Sequence, residues 1–95
     1  MKKISQTIIA SFLNLESVTL GPAKVIAGDG TASLWIHGMC IAVMIDGILS
    51  ITTTGVYPTH ITLDILNGLP GVVSSVMYGQ TYLNGIAWDG KWIQI

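Results

Sequence analysis

The stretch Met39-Cys40-Ile41-Ala42-Val43-Met44-Ile45, Asp46-Gly47, Ile48-Leu49-Ser50-Ile51-Thr52-Thr53-Thr54 decides the fold. Two β-rich runs meet at an Asp-Gly pair, the strongest short-range signal for a β-hairpin. A two-residue type I′ turn needs positive φ at both central positions, which Asp and Gly tolerate better than most residues. Closing the turn there sets the register: Ile45 opposite Ile48, Met44 opposite Leu49, Val43 opposite Ser50, Ala42 opposite Ile51 and Ile41 opposite Thr52. One face then carries Met39, Ile41, Val43, Ile45 and Ile48, and the other carries Cys40, Ala42, Met44, Leu49 and Ile51. Both faces are largely apolar, so both are expected to be covered, by sheet, helix or another subunit.

Outward from the hairpin, composition narrows the possibilities. Ninety-five residues make a single domain, 1–95, with room for one modest core. The chain is 51% hydrophobic and 9% charged, against about 25% charged in an average soluble domain. A net charge of −1 provides no polybasic face to follow a phosphate backbone, which argues against nucleic-acid binding. So few charges leave a surface poor in solubilising groups, and a homo-oligomeric or partner interface follows as an expectation. Cys40 is the single cysteine, so an internally disulfide-stapled scaffold is excluded. With no Lys or Arg nearby in sequence to lower its pKa, it reads as a buried structural thiol.

Two membrane readings compete with this one. Met1-Lys2-Lys3 followed by Ile8-Ile9-Ala10 and Phe12-Leu13 has the beginning of a signal peptide, but Ser11 and Asn14 interrupt the apolar run and no Ala-x-Ala site follows promptly. Ala32 to Ile51 has the length of a membrane helix. Asp46 would cost about 2.5–3.5 kcal/mol near a helix centre, and His37, Gly38 and Gly47 break the run. The hairpin is the better reading, and a cytoplasmic protein is expected.

Turn residues punctuate the chain at Gly28-Asp29-Gly30, His37-Gly38, Asp46-Gly47, Asn67-Gly68, Gly79, Asn84-Gly85 and Asp89-Gly90. Several lie about 8–10 residues apart, the spacing of short antiparallel strands. Strands are predicted at Glu16 to Leu20, Lys24 to Ala27, Thr31 to His37, Val72 to Met77 and Thr81 to Leu83, with a last one in Lys91 to Ile95. The Ile4–Asn14 segment fits a helix by spacing and a strand by its Thr7-Ile8-Ile9, and is read as a strand or irregular arm. After Thr54-Gly55 the period changes. Pro58-Thr59 opens a helix with Thr59 as N-cap, and Ile61, Ile65, Leu66 and Leu69 share the side meant for the sheet. Gly68 suits a left-handed C′ position, and Pro70 bars continuation. The fold class is therefore α+β: mostly antiparallel sheet of about 6–8 short strands with one amphipathic helix near 59–67, or alternatively a small all-β sandwich or barrel.

Candidate chemistry is sparse. His60 and Asp64 lie one helical turn apart and could touch, giving half of a nucleophile-activating triad. No Gly-x-Ser-x-Gly elbow or Cys-His signature supplies the other half, so the pair reads as a solvated helix face and no catalytic residue is assigned. His37 and Cys40 are too few for zinc, and an offset of three points them to opposite faces of a regular strand. Glu16, Asp29, Asp46, Asp64 and Asp89 are scattered, three of them beside glycine in turns. Gly28-Asp29-Gly30 lacks the Lys-Ser or Lys-Thr of a phosphate loop. No motif requires a metal or cofactor.

Aromatic residues are the more informative group. Tyr78, Tyr82, Trp88 and Trp92 crowd the last quarter of the chain, and with Lys91 they form the candidate partner-binding set, since Trp and Tyr are enriched at binding hot spots. If Asp89-Gly90 were a hairpin turn, Trp88 would face Lys91 while Ala87 and Trp92 shared the other side. One indole would then be inside and one at the surface. The candidate oligomer interface is the Ile41, Val43, Ile45 and Ile48 face of the hairpin.

Thr52-Thr53-Thr54-Gly55-Val56-Tyr57 leading into a Thr-capped helix that ends Asn67-Gly68, together with the closing Asn84-Gly85-Ile86-Ala87-Trp88-Asp89-Gly90-Lys91-Trp92, resembles the small orphan proteins of bacterial phages and prophages. The resemblance implies a compact, non-enzymatic protein that binds a protein partner, as phage inhibitors of host defence or host enzymes do, and a homodimer is the expected assembly. A virion structural or assembly component, and a small enzyme using His60 and Asp64, are the alternatives.

Overall fold

A computed structural model describes residues 3–53 and 59–95. The elements in order are α1 (Lys3–Leu13), β1 (Val18–Leu20), β2 (Ala23–Gly28), β3 (Thr31–Ile36), β4 (Met39–Ile45), β5 (Ile48–Ile51), α2 (His60–Asn67), β6 (Ser74–Met77), β7 (Gln80–Leu83), β8 (Ile86–Ala87) and β9 (Ile93–Gln94). They form one six-stranded antiparallel sheet in the order β1-β2-β3-β4-β5-β9 and one three-stranded sheet in the order β6-β7-β8. The fold is α+β and mostly sheet, as the sequence predicts, with nine strands and two helices among the described residues. The predictions for Thr54-Gly55-Val56-Tyr57-Pro58 and for Met1-Lys2 lie outside the described residues.

The central hairpin has the predicted register: Ile45 opposite Ile48, Met44 opposite Leu49, Val43 opposite Ser50 and Ala42 opposite Ile51. The Thr52 N–H donates to the Ile41 carbonyl at 2.9 Å, continuing the ladder by one more pair. Asp46 and Gly47 both have positive φ, 50° and 79°, which identifies the type I′ turn. The same device recurs at His37-Gly38, Tyr78-Gly79 and Asn84-Gly85. Gly21-Pro22 closes β1 onto β2 with positive φ at the first central position, and is a type II′ turn.

One reading of the hairpin faces needs correction. Leu34 pairs with Ala42 but Trp35 pairs with Cys40, so β4 carries one residue, Ile41, more than β3 at this point. This bulge reverses the alternation. Ile41 and Ala42 are both buried, 2% and 0% exposed, and Ile41 therefore belongs to the core rather than to the face it was predicted to share with Val43 and Ile45. The covered face is a cross-strand row, Val18-Val25-Leu34-Ala42-Ile51-Ile93, spanning all six strands.

Residues 3–13 form a helix, not the predicted strand or arm. Ser5, Ile8, Ile9 and Phe12 are its buried residues, a 3.6-period stripe laid against β1, β2 and β3. Tertiary burial of that stripe outweighs the local β preference of Thr7-Ile8-Ile9. The helix ends in a Schellman motif: the Leu15 N–H donates to the Phe12 carbonyl at 3.2 Å and the Glu16 N–H to the Ser11 carbonyl at 2.9 Å. Leu15 occupies the left-handed position at φ 55°, where a β-carbon costs about 1–2 kcal/mol. Leu15→Gly is therefore expected to be about 1 kcal/mol more stable than Leu15→Ala, which loses the same side-chain packing but keeps the left-handed strain. Urea unfolding followed by far-UV circular dichroism measures the difference, and a Gly midpoint no higher than that of Ala contradicts it.

α2 has the predicted N-cap, with the Thr59 hydroxyl accepting the Thr62 N–H at 3.3 Å. Its C-terminus differs from expectation. Gly68 is right-handed at φ −86° and ψ −9°, and the Gly68 and Leu69 N–H groups bond back to Ile65 and Leu66 in a tightening last turn. The left-handed glycine is Gly71, at φ 76°, where a β-carbon would stand 3.0 Å from Ile95 Cγ2. The helix packs on α1 and β6, and its apolar side joins the core that also holds Ala42, Leu49 and Ile51 of the large sheet. Ile65, Leu66 and Leu69 are buried there as predicted, with Thr62, while Ile61 is half-buried.

Candidate functional site

One layer of helices covers one face of the large sheet, so the other face is uncovered among the described residues. Its central row runs Ile26-Ser33-Val43-Ser50-Gln94 across five strands. Beside it Thr31, Ile45 and Ile48 meet at the hairpin tip, and Lys24, Trp35 and Cys40 meet on the other side. Ile26, Ile45 and Ile48 are 48%, 52% and 51% exposed. Val43 is half-buried. A shallow depression of about 400 Å³ lies between Ile26, Ser33, Val43 and Ile45. Of the four residues assigned to an oligomer interface, the structure thus brings Val43, Ile45 and Ile48 together on one open face and takes Ile41 into the core.

The edge of this face is ordered. The Trp35 indole Nε1–H donates to Ser33 Oγ at 2.9 Å, and Lys24 Nζ lies 5.7 Å from the Trp35 ring centroid, a cation–π contact. The half-buried Cys40 Sγ–H donates to the Ala42 carbonyl at 3.6 Å. Burial pushes its thiol pKa up, against the smaller lowering effect of the Ala42 and Leu34 backbone. Such a thiol carries little thiolate at neutral pH and is a poor nucleophile.

The aromatic set at the C-terminal end separates into distinct surroundings. Trp88 is 8% exposed and part of the core, its indole N–H donating to the Lys91 carbonyl at 3.0 Å. Trp92 is 51% exposed and Tyr78 fully so, while Tyr82 is half-buried on β7. One indole inside and one outside is the predicted outcome, reached by another route. Asp89-Gly90 is not a hairpin turn. Lys91 N–H donates to Asp89 Oδ1 at 3.0 Å, and the Gly90 carbonyl accepts the Thr53 N–H at 2.9 Å and the Thr52 hydroxyl at 2.5 Å. This loop carries the chain from the small sheet back to the large one, where β9 pairs with β5. Lys91 Nζ stands 3.9 Å from Asp89 Oδ2 in an exposed ion pair.

Between β8 and β9 lies a groove of about 270 Å³ walled by Ile86, Ala87, Ile93 and Ile95 with Leu83 and Trp88. Ile86, Ile93 and Ile95 are 73%, 41% and 38% exposed. Sequence reading reached Trp88 here but not its isoleucine neighbours. Ile86 follows the Asn84-Gly85 turn directly, and its exposure depends on β8 being the last strand of its sheet.

His60 is exposed at the start of α2 and Asp64 is half-buried one turn later. His37 occupies a turn at φ 50° and is exposed, and Cys40 is the second residue of β4. No group of three or more His, Cys, Asp or Glu side chains converges among the described residues. No helix among them is long and apolar enough to cross a membrane, and the Ala32–Ile51 run is divided among β3, β4 and β5. Compared with protein-family models, with curated protein sequences and with solved structures, the chain matches none.

Proposed function

We propose that this chain is a non-enzymatic protein-binding module that acts as a homodimer, a phage-type inhibitor of a host defence system working in the bacterial cytoplasm through protein–protein contact. The observation that supports this reading is the open face of the large sheet, where Ile26, Ile45 and Ile48 stand about half exposed around Val43. Exposed isoleucines grouped on a sheet face favour association. A second copy is the occupant that fits best, because the row is nearly free of charge and self-complementary faces of this kind are the usual basis of two-fold dimers. The dimer leaves the exposed Trp92, Tyr78 and Lys91 side chains of each protomer available to the host protein, with aromatic area as the anchor.

Light scattering on purified protein at micromolar concentration is expected to give twice the chain mass. Ile45→Glu/Ile48→Glu is expected to give the monomer with an unchanged far-UV spectrum, since both residues are at the exposed hairpin tip. A monomeric wild type overturns the dimer. For the function itself, expression in defence-competent bacteria is expected to raise the plating efficiency of a restricted phage at least tenfold. No gain across a panel of such hosts overturns the inhibitor.

A further inference from the structure

The geometry points to the β8–β9 groove as a binding site for an extended, uncharged segment of a partner protein, which adds as a strand to an open sheet edge. The inference rests on the protein-binding reading above and names the chemistry of what is bound. β8 ends the small sheet and β9 ends the large one, so among the described residues both strands turn an unpartnered edge outward.

Ladder alternation identifies the backbone groups concerned. In an antiparallel pair, residues that exchange hydrogen bonds alternate with residues whose N–H and C=O point away. The Ile95 N–H donates to the Leu49 carbonyl at 2.8 Å, which places Ile95 and Ile93 toward β5 and turns the Gln94 N–H and C=O outward. On the other wall, the two-residue Asn84-Gly85 turn makes Leu83–Ile86 a bonded pair, and the Trp88 N–H donates to the Thr81 carbonyl at 2.9 Å. The intervening Ala87 therefore turns its N–H and C=O away from β7. Ala87 and Gln94 are both exposed and both line the groove.

The remaining properties select the ligand. None of the lining residues carries an ionisable side chain, so no side chain there supplies a counter-charge to a phosphate or to an acidic or basic segment. Asn84 is committed elsewhere: its Oδ1 accepts the Val73 N–H at 2.8 Å and its Nδ2 donates to the Gly71 carbonyl at 3.1 Å. About 270 Å³ falls just below the ~300–1,000 Å³ of small-molecule and cofactor sites. It accommodates a pair of apolar side chains. Backbone donors and acceptors at a strand edge with apolar recesses beside them are the two elements of recognition by strand addition: main-chain bonds hold the segment, and alternate side chains fill the recesses.

The test uses a phage-displayed library of uncharged linear ten-residue peptides, panned against the full chain. Enriched sequences are expected to carry apolar residues at alternate positions. The corresponding synthetic peptide should slow amide exchange at Ala87 and Gln94 at least tenfold. N-methylation of a central peptide residue, and separately Ile86→Glu, should each weaken its binding at least tenfold, with Ile86→Ser as the milder variant. The inference is overturned if panning enriches nothing, if binding ignores both N-methylation and the Ile86 variants, or if Ile86→Glu instead dissociates the dimer, which would place a second copy in the groove. A plating gain that persists in Ile86→Glu while no peptide binds leaves the protein-binding reading standing and removes this site. Groove binding without any plating gain leaves this site standing and removes the host-defence inhibitor reading.

Discussion

Phe12→Ala is expected to lower the stability of this protein by about 3–5 kcal/mol. Phe12 is fully buried in α1, on the stripe facing the strands that carry Val25 and Leu34. Removing a buried phenylalanine side chain costs about 3–5 kcal/mol, because the transfer energy of the ring is lost and the cavity collapses only in part. At about 0.05–0.15 kcal/mol per residue, a domain of this size has a total stability of about 5–14 kcal/mol, so one substitution removes a large share. Urea unfolding followed by tryptophan fluorescence should show a midpoint lowered by about a fifth or more, or no folded baseline at all. Phe12→Leu, which retains much of the volume, should lose less than half as much. A midpoint near wild type for Phe12→Ala would mean that α1 is not the cover of the sheet.

The second large effect concerns the junction between α2 and the small sheet. Asn67, the last residue of α2, imitates a backbone pair toward Ser74. Its Oδ1 accepts the Ser74 N–H at 2.5 Å and the Ser74 hydroxyl at 3.1 Å, and its Nδ2 donates to the Ser74 carbonyl at 3.0 Å. Ser74 is 6% exposed. Asn67→Ala strands two donors and an acceptor there, and leaving buried polar groups without partners costs about 1–3 kcal/mol. The expected destabilisation is about 2 kcal/mol, with Asn67→Asp intermediate because it keeps both accepted bonds and gives up the donated one. Amide exchange offers a local check: Ser74 should lose protection in Asn67→Ala before the β2–β5 amides do. Uniform loss across both sheets would show that α2 is not a separable joint.

Much of this architecture is legible in the sequence where chemistry is local. Asp46-Gly47 sets the register of β4 and β5 residue by residue, because a two-residue turn with both φ values positive admits one pairing. Thr59 caps α2 for an equally local reason. Sequence patterns mislead where distant contacts decide. Ile4–Asn14 is ambiguous by spacing, and the polar Ser5 within its buried stripe hides the helix. Gly68 has the composition of a left-handed cap, yet the turn that needs positive φ is at Gly71, beside Ile95. Asn67-Gly68 reads as a stop signal, and nothing in it announces that the Asn67 side chain is spent on Ser74.

The candidate surfaces follow the same division. Residue order and composition suffice to put Val43, Ile45 and Ile48 on one face and to make the chain apolar with few charges, whereas the burial of Trp88 comes from a loop the sequence reads as a hairpin turn. The departure of Ile41 from that face needs three dimensions, since a bulge opposite Leu34 and Trp35 depends on how β3 and β4 are aligned. So does the openness of the second face, because both helices bury their apolar stripes in the one core on the opposite side of the sheet. The β8–β9 groove arises only on folding as well. Its walls come from the edges of two different sheets, and a chain read one strand at a time holds no record of which edges will meet.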